Sequence, residues 1–248
     1  MNSTLLSFLL TIIAGLSTLI GSIVIFLNKK NKDKIIISSL SFASAVMLFI
    51  SITDLIPESY NMFKNLFRLF SLIILILINI NIGIILSFYI KKYIPENNND
   101  NLYKVGLISM LAIIIHNMPE GMATFMASNT NISLGISLTI AIALHNIPEG
   151  ISIAVPIYYS TNSKLKAILY TFLSGLSEVF GAIITYLFLK PFINDYMMGI
   201  LFSVIAGIMM HISIFELLPT SLNYKNKKLT KIFFILGIIF VLFSTIIF

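Results

Sequence analysis

The sequence predicts an all-α integral membrane fold of eight transmembrane helices, and three observations predict it. Hydrophobic residues make up 58% of the 248, charged residues only 10%, and the mean hydropathy is +0.99; a typical soluble domain is about a quarter charged. The apolar runs are mostly about 20 residues or longer, the length that crosses a hydrocarbon core of about 30 Å as a helix. Because these runs are continuous, they exclude a β-barrel, whose strands read as short alternating segments.

The expected spans are 5–27, 35–56, 66–90, 104–126, 132–158, 166–189, 197–218 and 229–248, separated by joins rich in Lys, Asn, Pro or Ser. The first run, Leu5 to Leu27, has neither a basic start nor an A-x-A cleavage pattern, so it is expected to be a retained helix. The longest join, Lys91 to Lys104, holds Pro95, Glu96 and an Asn/Asp run and reads as a solvated linker. Residues 1–248 are expected to form a single transmembrane domain. There is no Cys, so disulfides and thiolate ligands are excluded, and no Trp, so Tyr and Phe must supply any interfacial belt.

Basic residues orient the spans. One set of joins carries Lys29, Lys30, Lys32 and Lys34, then Lys91, Lys92 and Lys104, then Lys164 and Lys166, then Lys225, Lys227, Lys228 and Lys231. The other set carries only Lys64, Arg68 and Lys190. The richer side faces the cytoplasm by the positive-inside rule, which puts both termini outside a cell (plasma) membrane. The net charge of +6 is thus a topology signal and not a nucleic-acid patch.

Internal repeats set the plan. At a shift of 160, Ala14 to Val24 falls on Ser174 to Ile184 with five identities in 11; at a shift of 162, Val46 to Asn61 falls on Ile208 to Asn223 with eight in 16. The first two helices thus resemble the sixth and seventh, which run the opposite way. At a shift of 29, A-I-I-I-H-N-M-P-E-G falls on A-I-A-L-H-N-I-P-E-G, linking the fourth and fifth. The expected arrangement is 3+2+3 with an inverted repeat, a recurrent plan of secondary transporters. The third and eighth helices show no clear match and are paired only by their order.

Chemistry is concentrated inside the spans. Asp54, Glu120, Glu149, Glu178 and Glu216 lie there, as do all the histidines, His116, His145 and His211. A mid-bilayer acid costs about 2.5–3.5 kcal/mol on insertion scales, so the set costs on the order of 15 kcal/mol. No Lys or Arg is expected deep inside a span to offset it, since those within the ranges sit at their ends, and a bound cation is the remaining candidate. His116 and Glu120 are spaced i, i+4, on one helix face, with Asn117 flanking the same carboxylate; His145, Asn146 and Glu149 repeat the pattern. If the two helices face each other, their glutamates bridge a binuclear site. One half is His116, Glu120, His145 and Glu149; the other is Asn117, Glu120, Asn146 and Glu149. Pro119 and Pro148 each free a carbonyl four residues back, at Ile115 and Leu144, a kink that membranes tolerate beside a cavity.

Glu178 aligns with Thr18 in the repeat and so breaks its symmetry; it either completes the asparagine half or makes an interhelical hydrogen bond. Asp54 and Glu216 occupy matching positions before a proline, either as acids at opposite mouths of a transport pathway or as interfacial groups. His211 either contacts metal in transit or is structural.

At these residues the chain resembles the ZIP family (Zrt-, Irt-like proteins), most closely its bacterial branch. The resemblance runs over essentially the whole chain. It is strongest from H-N-M-P-E-G-M-A-T-F through H-N-I-P-E-G-I-S-I-A-V-P to S-G-L-S-E-V-F-G-A. It implies eight helices, external termini and a binuclear metal centre between the fourth and fifth. It implies that Asn117, Glu120, His145, Asn146, Glu149 and Glu178 are metal ligands, with His116 sharing the histidine half. It also implies uptake of Zn2+ and, in this branch, of Fe2+, Mn2+ and Co2+, with no prosthetic group. Many relatives carry a His-rich loop between the third and fourth helices; Lys91 to Lys104 holds no His, which puts loop-based sensing in doubt. Expected partners are divalent metal ions and the lipid bilayer, with a homodimer left open and no nucleic acid. A membrane metallohydrolase would need a general base beside an open zinc position, typically H-E-x-x-H, whereas Asn follows each motif His here. A metal sensor would need a soluble partner domain, and none is seen.

Overall fold

The computed structural model describes residues 3–27, 31–94, 101–189 and 191–247, and it is all-helical over them. Among the described residues, eight helices are long and apolar enough to cross a membrane. They are α1 (Ser3–Phe26), α2 (Lys32–Phe63), α3 (Leu69–Tyr93), α4 (Asn101–Thr130), α5 (Ile132–Thr161), α6 (Lys164–Leu189), α7 (Asp195–Asn223) and α8 (Lys227–Ile247). Lys29, Lys30, Lys190 and the linker residues Pro95 to Asp100, which enter the orientation argument and the linker reading, lie outside the described residues.

Sequence punctuation explains most helix ends. Asn131 caps α5, accepting from the Ser133 and Leu134 amides, and Asn194 caps α7 by accepting from Met197. Asn162 closes α5 in the left-handed conformation, at φ 53°.

The expected ends of the second and seventh spans, at 56 and 218, are corrected. Pro57 and Pro219 do not stop their helices, which run on to Phe63 and Asn223. The reason is a π turn before each proline, over Ser51–Leu55 and Ser213–Leu217. In these turns the Ile56 amide donates to the Ser51 carbonyl and the Leu218 amide to the Ser213 carbonyl, five residues back. One extra residue is absorbed, and the helix resumes with proline in its first turn, where no amide is needed.

Packing follows the sequence repeats. Helices α4 and α5 pack on each other; α1 packs on α5 as α6 packs on α4; α3 lies on α7 as α8 lies on α2. The two π turns are themselves 162 residues apart, the repeat shift. Helix α2 runs antiparallel to α7: Ser221 Oγ donates to the Ile37 carbonyl, Ser213 Oγ to the Ser44 carbonyl, and Ser59 Oγ to the Gly199 carbonyl. Asp54 and Glu216 therefore lie at opposite ends of the bundle. The main apolar core, with Leu40, Met47, Ile108, Ile153, Ile157, Phe202 and Ile205, sits between α2, α4, α5 and α7. By contrast, α3 and α8 bury only 22% and 17% of their most apolar windows and present the rest outward.

Glycine brings the inner backbones together. A Cβ on Gly121 would strike the Glu178 carbonyl, and one on Gly150 would strike the Thr18 carbonyl. These are one contact seen twice, related by the 29- and 160-residue shifts. With no side chain in the way, α4 packs directly on α6 and α5 on α1.

Candidate metal centre

The two H-N-x-P-E-G motifs meet where α4 and α5 pack. Both helices continue through Pro119 and Pro148, and their i, i+4 spacing turns His and Glu to one face. Glu120 is the hub. Its Oε1 lies 3.1 Å from His116 Nε2 and 3.0 Å from His145 Nε2. Glu149 Oε1 stands 3.4 Å from His116 Nε2. Ligand atoms of His116, Glu120 and His145 all fall within 4.8 Å of one another, close enough for one ion to reach all three.

The asparagines are anchored from outside the pair. Asn117 Nδ2 donates to the Ser174 carbonyl on α6 (3.5 Å), and Asn146 Nδ2 to the Ala14 carbonyl on α1 (3.0 Å). Ser174 and Ala14 are repeat partners, so this too is one interaction made twice. Tethering the amide nitrogen leaves each amide oxygen free to accept. Asn146 Nδ2 also donates to Glu178 Oε1, so Glu178 does form the interhelical bond that the sequence offered as one of its roles. Its other oxygen is left over.

Both asparagine oxygens, together with Oε2 of Glu120, Glu149 and Glu178, are buried and find no donor among the described residues. An unsatisfied buried acceptor costs about 1–3 kcal/mol, so this set costs on the order of 10 kcal/mol. Acceptors without donors, converging around carboxylates, are what a cation satisfies. The donor set of imidazole, carboxylate and amide oxygen, without thiolate, suits Zn2+, Fe2+, Co2+ and Mn2+.

Access differs among these side chains. Glu120 and His145 line a cavity of about 490 Å³ together with Asp54, Glu58 and Asn61 on α2, Ser137 on α5, and Ser244 and Thr245 on α8. Asn117, Asn146, Glu149 and Glu178 are fully buried. Asp54 is thus on the approach to the cluster, not in it. Glu58 and Asn61 lie beyond the expected span 35–56, whereas the helix runs on to Phe63 and carries them at i+4 and i+7 from Asp54, on one face.

The other pathway candidates lie away from the centre. His211 is buried, its Nδ1 2.9 Å from Ser87 Oγ and its ring stacked on Phe215 at 5.1 Å. Glu216 corrects an expectation: its buried carboxylate does have a basic partner, Lys91 Nζ at 2.7 Å. Helix α3 runs three residues beyond its expected end at 90 and carries Lys91 with it, and a long lysine stem can reach a carboxylate just inside the bundle. The only trace in the sequence was that Lys91 sits one position past the predicted span, where it counted as a topology signal.

A family profile described as "ZIP Zinc transporter" matches residues 97–245. Among curated proteins, the chain is 38% identical to "Zinc transporter ZupT" of Clostridium perfringens, covering 100% of this chain and 98% of that one. It is 39% identical to the protein of the same name from Streptococcus mutans, over 98% and 97% of the two chains. It is 38% identical to that of Oceanobacillus iheyensis, over 93% of each.

Proposed function

This chain belongs to the ZIP family of zinc transporters, and from that premise we propose that it takes up divalent metal ions into the cytoplasm through the α4–α5 cluster. It is a multi-pass membrane protein of a transporter family and not an enzyme; zinc is its substrate. Fe2+, Mn2+ and Co2+ are proposed as further substrates, because the donor set mixes imidazole with hard oxygen ligands.

The centre is proposed to hold two adjacent ions bridged by Glu120 and Glu149. Residues His116 and His145 serve one ion; Asn117, Asn146 and Glu178 serve the other. The observation that carries this reading is the set of buried, donor-free oxygens beside the imidazoles, arranged in repeat-matched pairs. Absence of thiolate favours moderate affinity and hence release.

The proposed path starts at the cavity lined by Asp54, Glu58 and Asn61, reaches His145 and Glu120, and leaves at the Glu216 end. Basic residues at the opposite joins put the cavity end outside, with both termini. The 3+2+3 plan and its inverted repeat gain support from the matched packing of α1 with α5 and α6 with α4. Alternating access then follows as movement of the central helices against the rest.

Uptake of radioactive zinc into proteoliposomes tests this, with wild type beside Glu120→Ala and Glu149→Ala and with unlabelled Fe2+, Mn2+ and Co2+ as competitors. Saturable uptake that both substitutions abolish is the expected result. Equal flux in all three proteins would remove the cluster from the transport path.

A further inference from the structure

We propose that Lys91 is a tethered counter-ion that holds the Glu216 end of the path shut, and that the transported cation leaves by displacing its ammonium from the Glu216 carboxylate. The inference rests on the reading of the chain as a divalent-cation carrier, and it assigns a role to a residue outside the metal centre.

The geometry is that of a latch between two helices. Lys91 comes from α3 and Glu216 from the π turn of α7, 2.7 Å apart, with the carboxylate side chain 5% exposed and the lysine 38% exposed. One turn earlier on the same face of α3, Ser87 Oγ meets His211 Nδ1 at 2.9 Å. The end of α3 is therefore joined to α7 at two successive turns. Just behind Glu216, Ser213 Oγ donates to the Ser44 carbonyl (2.7 Å) and Ser44 Oγ to the Ser213 carbonyl (3.1 Å), closing α2 on α7.

The repeat supplies an internal control. Asp54 is the partner of Glu216 and sits in the same kind of π turn before a proline. It takes a hydrogen bond from Thr53 (2.8 Å) and, among the described residues, forms no ion pair. The helix that lies on α2, as α3 lies on α7, is α8; it brings Ser244 and Thr245 to that end and no cation. That end is the one that opens to the cluster through the cavity. Two carboxylates in two like turns thus differ in their surroundings: one is held by a lysine and the other faces a cavity.

The charges give the consequence. With its ammonium in place, Lys91 neutralises Glu216, and the mouth offers no net negative charge to an ion. A divalent cation outcompetes a monovalent ammonium for the carboxylate once it arrives, and the freed lysine, already partly exposed, swings toward water. The latch therefore opens when cargo comes from inside the protein and closes again when it has gone.

Because the chain has no cysteine, Ile212→Cys, buried four residues before Glu216 and outside the Ser44–Ser213 pair, serves as a clean reporter. Full-length protein in everted membrane vesicles is treated with a membrane-impermeant maleimide, without zinc. Lys91→Met, which keeps the stem and loses the charge, is expected to raise the labelling rate about fivefold over the Lys91 parent, and Lys91→Arg to leave it low. Glu216→Gln removes the same pair from the other side and is expected to match Lys91→Met. Zinc is expected to raise labelling in the Lys91 parent and to add nothing in Lys91→Met. Each variant is compared only if it elutes as a monodisperse peak in detergent. Unchanged labelling in Lys91→Met and Glu216→Gln would overturn the proposal and leave an ordinary surface ion pair. Since labelling without zinc needs no flux, failure of the latch is told apart from failure of transport, which would show as a parent protein that takes up no zinc.

Discussion

In the proposed centre the histidine half and the asparagine half are built from the same two motifs, yet His145 differs from the asparagines in exposure and in support. His145 and Glu120 border a cavity, and the imidazoles are held mainly by carboxylates within the cluster. The asparagines are sealed, and their amides are pinned by backbone carbonyls of α1 and α6. A ligand fixed by rigid backbone keeps its geometry whether or not an ion is bound; one that faces a cavity can exchange its ion with solution. On the proposed binuclear reading, this difference assigns the ion in transit to the histidine half and a steadier ion to the asparagine half.

Substitutions of graded severity break or sharpen this contrast. Glu120→Ala or Glu149→Ala removes a bridge common to both halves, so each should cut zinc uptake about a hundredfold or more and empty both halves of metal by elemental analysis. His145→Ala strikes only the accessible half; uptake should fall about tenfold, mostly through a weaker apparent affinity, while roughly half of the bound metal survives. Glu178→Gln keeps the shape and the Asn146 contact but removes a charge from the sealed half. A loss of about threefold is expected there, with retained metal falling more than the transport rate does. The mildest change, Asn117→Ala, removes one oxygen donor and should leave zinc uptake within about twofold of wild type while weakening competition by Mn2+, the ion that leans most on oxygen ligands. Were Glu178→Gln to slow transport as much as His145→Ala, the two halves would be equal partners in transit and the contrast would be one of structure alone.

Much of this molecule was legible before folding. Apolar runs fix where helices cross, because a backbone in lipid must satisfy its own hydrogen bonds. The i, i+4 spacing in H-N-x-P-E-G puts His and Glu on one face of any helix, so the cluster of His116, Glu120 and His145 needed only that α4 and α5 pack. Aligned glycines, prolines and acids revealed the repeat, and the structure places matched contacts at those shifts, as at Gly121 and Gly150. Misread were the places where a local rule met a tertiary remedy. Proline normally ends a helix; at Pro57 and Pro219 a π turn removed the conflict, and Glu58 and Asn61 were carried along to the cavity wall.

The sequence by itself determined the spans, the basic asymmetry and the chemistry of the cluster, since hydropathy, charge and helical spacing are properties of neighbouring residues. Tertiary structure alone decided which carbonyls orient the asparagines, which end of the bundle opens to the cluster, and that Glu216 stands beside Lys91. Those pairings join residues 57 to 132 positions apart, as Asn117 with Ser174 and Asn146 with Ala14 are. No periodicity encodes them, because they exist only once glycine-lined helices have packed closely enough for one helix's backbone to hold another's side chain.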